Sequence, residues 1–344
     1  FTAIFVILAP QISQVLNAPE EAFEKTVSYV TICSSGMIFI VAYNILSSIM
    51  RGLGNAKMPL ITVAIASVVN VLGDLLLVGV FGLAATGAAI ATVAAQGVSV
   101  LISIIIIKKK GLPFRVRPKN IIKYKREIAA ILKIGLPISL QGLLVSISFL
   151  VINSIVNALG VIASAGVGVA EKLCQFIMLV PEAFMQSLST IVAQNVGANR
   201  PERAKKALAV GIIASLAVGV FMAYFAFFHG STLANLFTKD SAVIAAAADY
   251  LKAYAIDTLL VSFLFCFIGY FNGCGKTTFV MIQGIIGAFF IRIPVAFFMS
   301  RLPEVTLFKV AIATPCSTLV QIILCTAFLF VVENNFKRTK ISAI

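Results

Sequence analysis

One helical unit occurs twice in this chain, about 221 residues apart, and a duplicated unit must reach the same fold in both places. Residues 29–61 (YVTICSSGMIFIVAYNILSSIMRGLGNAKMPLI) align without a gap on residues 250–282 (YLKAYAIDTLLVSFLFCFIGYFNGCGKTTFVMI), pairing Tyr29 with Tyr250, Gly52 with Gly273 and Gly54 with Gly275. One extra residue in the next loop brings Ala89-Ile90-Ala91-Thr92 into register with the identical Ala311-Ile312-Ala313-Thr314. Both copies keep what packing needs, so a polar residue found in one copy only is a candidate for function. Asn70 and Asp74 are such residues, since their counterparts are Ile291 and Val295. The expectation is that only the first copy keeps a buried acid.

The setting for that fold is a bilayer. Hydrophobic residues make up 60% of the chain and charged residues 12%, about half the charged share of a soluble domain. Ten apolar stretches are long enough to cross about 30 Å of hydrocarbon: 1–16, 27–50, 58–79, 87–107, 130–156, 164–194, 205–228, 249–270, 279–299 and 306–332. The net charge of +14 does not imply a nucleic-acid partner, because the charges are sorted by side. Twenty of the 27 Lys and Arg residues fall in alternate loops, nine of them between Lys108 and Arg126. The intervening loops, such as NAPEEAFEK and GVFGLAATG, hold few. Lys and Arg mark cytoplasmic loops, which puts the C-terminus in the cytoplasm of a multi-pass plasma-membrane protein. The basic central loop also suits contact with anionic lipid headgroups.

The expected domains are an N-lobe (1–107), a basic cytoplasmic loop (108–127), a C-lobe (128–333) and a cytoplasmic tail (334–344). By the repeat offset Phe1 corresponds to Met222, while the second copy begins near Ile128. The first copy is therefore expected to lack about 94 residues, which would form two more spans. The expected fold class is an all-α polytopic membrane protein of two pseudo-symmetric six-helix bundles, with about ten of twelve helices in this chain. Parallel repeats of this kind place the substrate path between them in many transporters.

A carboxylate within a span is costly and normally faces a cavity or a partner. Asp74 and Asn70, four residues apart, share one helix face. Thr92 lies at matching depth on the next helix, all three within roughly 7 to 14 Å of its outer end at 1.5 Å per residue. A carboxylate, an amide oxygen and a hydroxyl suit Na⁺, and a desolvated carboxylate equally suits a proton. The bland alternative is a structural hydrogen-bonded cluster tying two helices together.

Several segments resemble one family. RGLGNAKMPLI, NVLGDLLLVGVFGLAATGAAIATVAAQ, GLPISLQ and VAQNVGANRPERAKKA are similar to the multidrug and toxic compound extrusion (MATE) antiporters, above all the bacterial DinF-like branch. The resemblance implies a cation site at Asn70, Asp74 and Thr92, together with an acid on a first helix that this chain does not contain. The NorM-like branch has an acid on its seventh helix, where this chain offers no carboxylate near Val145.

The remaining features are weighed by position. Glu182, after Pro181, is expected to be a packed acid bonded to a neighbouring helix, with a drug-contacting role as the alternative. Gln141, Glu182, Met185 and Gln283 are the candidate substrate path. Glu171 and Lys172 are expected to snorkel or to pair with each other, and Arg292 to snorkel toward a lipid end. His229 reads as a passive residue at an outer helix end. The six cysteines lack a CxxC pair and read as small core residues. GCGKTT at Gly273–Thr278 imitates a phosphate-binding loop, but the required upstream glycine is Tyr270 and the segment aligns with the helix-end turn RGLGNAK.

The expected function is an ion-coupled (Na⁺ or H⁺) antiporter, not an enzyme, that exports organic cations or amphipathic drugs by alternating access. It needs no other cofactor and no obligatory protein partner, and is expected to be a monomer. The runner-up is a lipid-linked saccharide flippase, whose cavity would need more Arg and Lys than Lys172, Lys252, Arg292 and Lys309 supply.

Overall fold

The computed structural model describes residues 2–15, 20–111 and 124–341, all in helices and the turns between them. Most of the expected basic loop and the last three residues lie outside the described residues. Contacts divide the chain into two compact units, Phe1–Lys119 and Asn120–Ile344. Among the described residues eight helices are long and apolar enough to span a membrane. A ninth span is a pair of helices, α3 (Glu20–Ser35) and α4 (Met37–Gly52), bent by 41°. The bend sits at Gly36, where a Cβ would lie 2.4 Å from Val93 on the neighbouring helix. The tenth expected stretch, 1–16, holds two short helices, α1 (Thr2–Ile7) and α2 (Ala9–Val15), parted at Leu8.

In the first unit, α6 (Ala84–Lys110) packs against α3, α4 and α5 (Lys57–Asp74). In the second, α7 (Lys125–Asn157), α8 (Val161–Gly197), α9 (Pro201–Phe228), the short α10 (Gly230–Ala234) and α11 (Ser241–Gly273) precede a continuous span, Thr277–Met299, that changes its winding on the way. That span comprises α12 (Thr277–Ile285), a π-helical segment (Ile286–Arg292) and α13 (Ile293–Met299). A single turn, α14 (Leu307–Ala311), and α15 (Ala313–Ile341) complete the unit. The last helix runs on into the expected tail. Within the second unit α11 is the core element: 67% of its apolar stretch is buried in protein, against 6% for α7.

Local chemistry fixes the ends of α11. Asp240 caps its start by accepting hydrogen bonds from the amides of Ala242 and Val243 at 2.8 and 3.3 Å, satisfying donors that a helix N-terminus leaves free. Its end is a left-handed glycine turn. Gly275 has φ +72, Gly275 N donates to Asn272 O at 3.0 Å and Lys276 N to Phe271 O at 2.8 Å. The first copy closes α4 with the same pair of bonds around Gly54, φ +83 (Gly54 N to Arg51 O and Asn55 N to Met50 O, both 2.9 Å). Only glycine takes that conformation freely, so GCGKTT is a helix-ending turn.

A second tie recurs between the copies. Ser28 Oγ lies 3.4 Å from Thr86 Oγ1 in the first unit. At the equivalent pair in the second, the carboxylate of Asp249 accepts from Phe308 N at 2.8 Å.

Candidate functional site

The first unit brings two of its three candidate ligands together. Asn70 Nδ2 donates to Thr92 Oγ1 at 3.4 Å, while the Thr92 hydroxyl donates to Ala88 O at 2.9 Å. This pair lines a 120 Å³ cavity with Tyr43, Ser67, Gln96 and Ser99. Such a volume is too small for a drug but suits an ion with a few waters. Asp74 stands one turn beyond Asn70 and is not part of that lining. One of its carboxylate oxygens, Oδ1, is buried without a hydrogen-bond partner, which is rare unless something else supplies the contact. Asp74 is also the last α-helical residue before a π-helical segment, Leu75–Val80, a distortion that concentrates at functional sites. The neighbouring Gly73 allows the close approach of α5 to α6, because a Cβ there would sit 2.9 Å from that of Ala91.

The second unit corrects the expectation that it lacks a buried acid. Asp257, on α11, lies midway along that helix and is 1% exposed. Its counterpart in the first copy is Gly36. Thr318 Oγ1 on α15 donates to Asp257 Oδ1 at 2.6 Å, the short distance of a hydroxyl bound to a carboxylate. Asp257 faces a 360 Å³ cavity lined also by Gln141, Phe149, Glu182, Tyr254, Arg292 and Thr314. Met178, Met185, Asn272, Thr318 and Gln321 also line it, and Asn272 Oδ1 is buried without a partner. A 460 Å³ cavity adjoins it and shares Phe149, Met178, Glu182 and Tyr254. Both volumes match those of small-molecule sites.

Two expectations for charged residues change. Glu182 is exposed to the two cavities instead of packed against a neighbouring helix, although Pro181 itself is buried within an unbroken α8. Lys172 is exposed and rests 5.9 Å over the ring of Phe237, and Glu171 lines the larger cavity. Arg292 does not snorkel: it is 7% exposed, with its guanidinium 4.5 Å over Phe149 and Nη1 bonded to Ser148 Oγ at 3.2 Å.

Gln141, Glu182 and Met185 line the 360 Å³ cavity, whereas Gln283 is not part of that lining and is buried, with its amide bonded to Val280 O at 3.0 Å. Next to it, Gly284 leaves room for Gln141, whose Cγ would lie 3.0 Å from an added Cβ. Among the described residues no group of three or more His, Cys, Asp and Glu side chains could hold a metal ion.

Comparison with known proteins adds a family. The model of the MatE family matches residues 1–76 and 137–298. A probable multidrug resistance protein, YpnP of Bacillus subtilis (strain 168), is 27% identical over 295 residues, covering 86% of this chain and 66% of that protein. The multidrug export protein MepA of Staphylococcus aureus (strain N315) is 28% identical over 297 residues, covering 85% and 64%. The chain thus spans about two thirds of the length of the curated relatives it matches.

Among solved structures, a MATE protein in complex with MaL6 superposes with a TM-score of 0.91 at 20% identity, covering 98% of this chain and 76% of that one. A transporter of the MOP superfamily from Pyrococcus furiosus, described as having a binding pocket of reverse polarity, gives 0.91 at 21% identity, covering 98% and 75%. At such identities the likeness is one of fold.

Proposed function

The chain belongs to the MatE family, and on that premise we propose that it exports organic cations and amphipathic compounds across the plasma membrane by alternating access, driven by inward movement of Na⁺ or H⁺. The observation that carries this reading is the buried, unpartnered carboxylate oxygen of Asp74 beside the Asn70–Thr92 pair. An unsatisfied buried acceptor is costly, and a cation or a proton satisfies it. Asp74, Asn70 and Thr92 offer the oxygen donors for Na⁺, and Asp74 alone suffices for H⁺.

Coupling requires that the ion and the exported compound stabilise different states of the transporter, by roughly 1 to 3 kcal/mol. The second unit supplies a cavity of drug-like size with two carboxylates, Asp257 and Glu182, and the rings of Phe149, Tyr254 and Phe265. Aromatic faces and carboxylates together suit an amphipathic cation. Two carboxylates against one guanidinium are the wrong balance for a pyrophosphate, which argues against a lipid-linked saccharide. The sorting of Lys and Arg among the loops supports a cytoplasmic C-terminus.

The test is efflux of a fluorescent organic cation from cells expressing the protein or its Asp74→Asn variant at matched membrane levels. Export lost in the variant is the expected result. Equal export in both returns Asp74 to a structural role.

A further inference from the structure

The small cavity of the first unit runs inward from the candidate ion ligands. It begins at the Asn70–Thr92 pair and descends between α4, α5 and α6 past Ser67, Gln96 and Ser99 to Val63 and Tyr43. At 1.5 Å per residue, Asn70 stands roughly 20 Å above the start of α5 and Val63 roughly 9 Å above it. Tyr43 Oη then donates to Pro59 O at 3.2 Å, in the first turn of that helix. The ring of Tyr43 thus bridges the cavity and the end of α5 that the sorting of Lys and Arg assigns to the cytoplasm.

The polar groups along this descent are not used up by packing. Among the described residues the side chains of Ser67 and Gln96 have no hydrogen-bond partner, and no polar atom of either is closed off by burial. Asn70 gives its amide to Thr92 and keeps its carbonyl oxygen free; Ser99 alone turns its hydroxyl back, to Gln96 O at 2.7 Å. The fold does not require these groups, because the counterparts of Tyr43 and Ser67 in the second copy are Leu264 and Ala288. An ion crossing a span needs oxygen ligands or water, since apolar surroundings are very costly to it. The cavity offers both, with 120 Å³ for several waters.

We infer that this cavity is the inward leg of the coupling ion's route: a monovalent cation, Na⁺ or a hydrated proton, leaves Asp74 past Asn70 and Thr92 and is passed on by Gln96, Ser67 and the waters they hold. No residue of the lining is charged, so the ion finds no strong trap there and moves on. This rests on the reading that Asp74 takes the coupling ion, and it gives Gln96 a part in releasing that ion, not in binding it.

The test is dye transport by the purified protein in liposomes under an imposed Na⁺ or pH gradient, which tells the two ions apart, together with the shift that the same ion produces in the melting temperature. Gln96→Leu is expected to slow gradient-driven transport at least about tenfold, while Na⁺ or lowered pH shifts its melting temperature as in the parent. Gln96→Asn, which keeps an amide, is expected to lose less. Ser67→Val, at the same cavity, is expected to act like the leucine variant and decides the matter if that variant fails to fold. Transport at the parental rate in both Gln96→Leu and Ser67→Val, with Asp74→Asn inactive, overturns the inference and leaves the ion site at Asp74 intact. Loss of the ion's effect on the melting temperature of Gln96→Leu overturns it too, because Gln96 would then belong to the binding site. No gradient-driven transport by the parent overturns both.

Discussion

Asp74 and Asp257 are both acids within spans, but their surroundings set them apart. Asp257 has a short bond from Thr318; Asp74 Oδ1 has none. A satisfied carboxylate contributes to the fold and an unsatisfied one is available to a ligand. Thr318→Val should therefore destabilise the protein by about 1 to 3 kcal/mol, seen as a lower melting temperature in detergent. Adding Asp257→Asn should cost less than the sum of the two single changes, because they share one bond. Additive losses would show that the bond contributes nothing.

Asp257 was visible in the sequence by the same asymmetry that marks Asp74, since Gly36 takes its place in the first copy. The comparison singles out such residues in both directions, and Arg292 opposite Val71 belongs with them. What the sequence does not contain is which way each faces. Arg292 lies seven residues from the end of its span, Thr277–Met299, near enough for snorkelling, and only its contacts with Ser148 and Phe149 on α7 show that it turns inward.

The helices hold together through glycines where two backbones nearly touch. Along α11, a Cβ at Gly269 would lie 2.5 Å from Met185 O, and one at Gly273 would lie 2.7 Å from Ser189 O, both on α8. Small residues four apart are a recurrent way for membrane helices to approach. The duplicated chain provides an internal control. Gly52, the counterpart of Gly273, has nothing within 4 Å of its added Cβ. Gly52→Ala should leave stability unchanged or raise it by up to about 1 kcal/mol, the helix propensity difference. Gly273→Ala should push α8 away from α11 and lower the melting temperature. Equal effects at the two positions would contradict this account of the packing. The apolar stretches and the basic loops made most of these elements legible, because a span needs about twenty apolar residues. Residues 1–16 form two short helices, parted at Leu8, and the apolar pattern did not reveal the bend at Gly36, where a Cβ would meet Val93 of another helix.

At the scale of the whole molecule, exposed apolar side chains in both units, such as Leu60, Val80, Ile213 and Phe290, are what a polytopic protein turns toward lipid. Its orientation is open to a direct check by impermeant maleimide on intact cells. Ser231→Cys, on the side poor in Lys and Arg, should react at once. Arg203→Cys, at the opposite end of α9, should react only after the cells are opened, and the reverse pattern would invert the topology.

The duplication itself was legible, and the two units bear it out in matching helix ends and matching ties. The two units diverge in their sites: the first holds a small polar cavity beside an unsatisfied acid, the second a larger cavity of mixed charge. The measurement that tests this division most directly is dye transport by the purified protein in liposomes under an imposed Na⁺ or pH gradient, for the parent and for Asp74→Asn. The expected result is gradient-driven transport by the parent with one of the two ions and none by the variant, although the variant still binds dye. Equal gradient-driven transport by both would contradict the placing of ion coupling at Asp74.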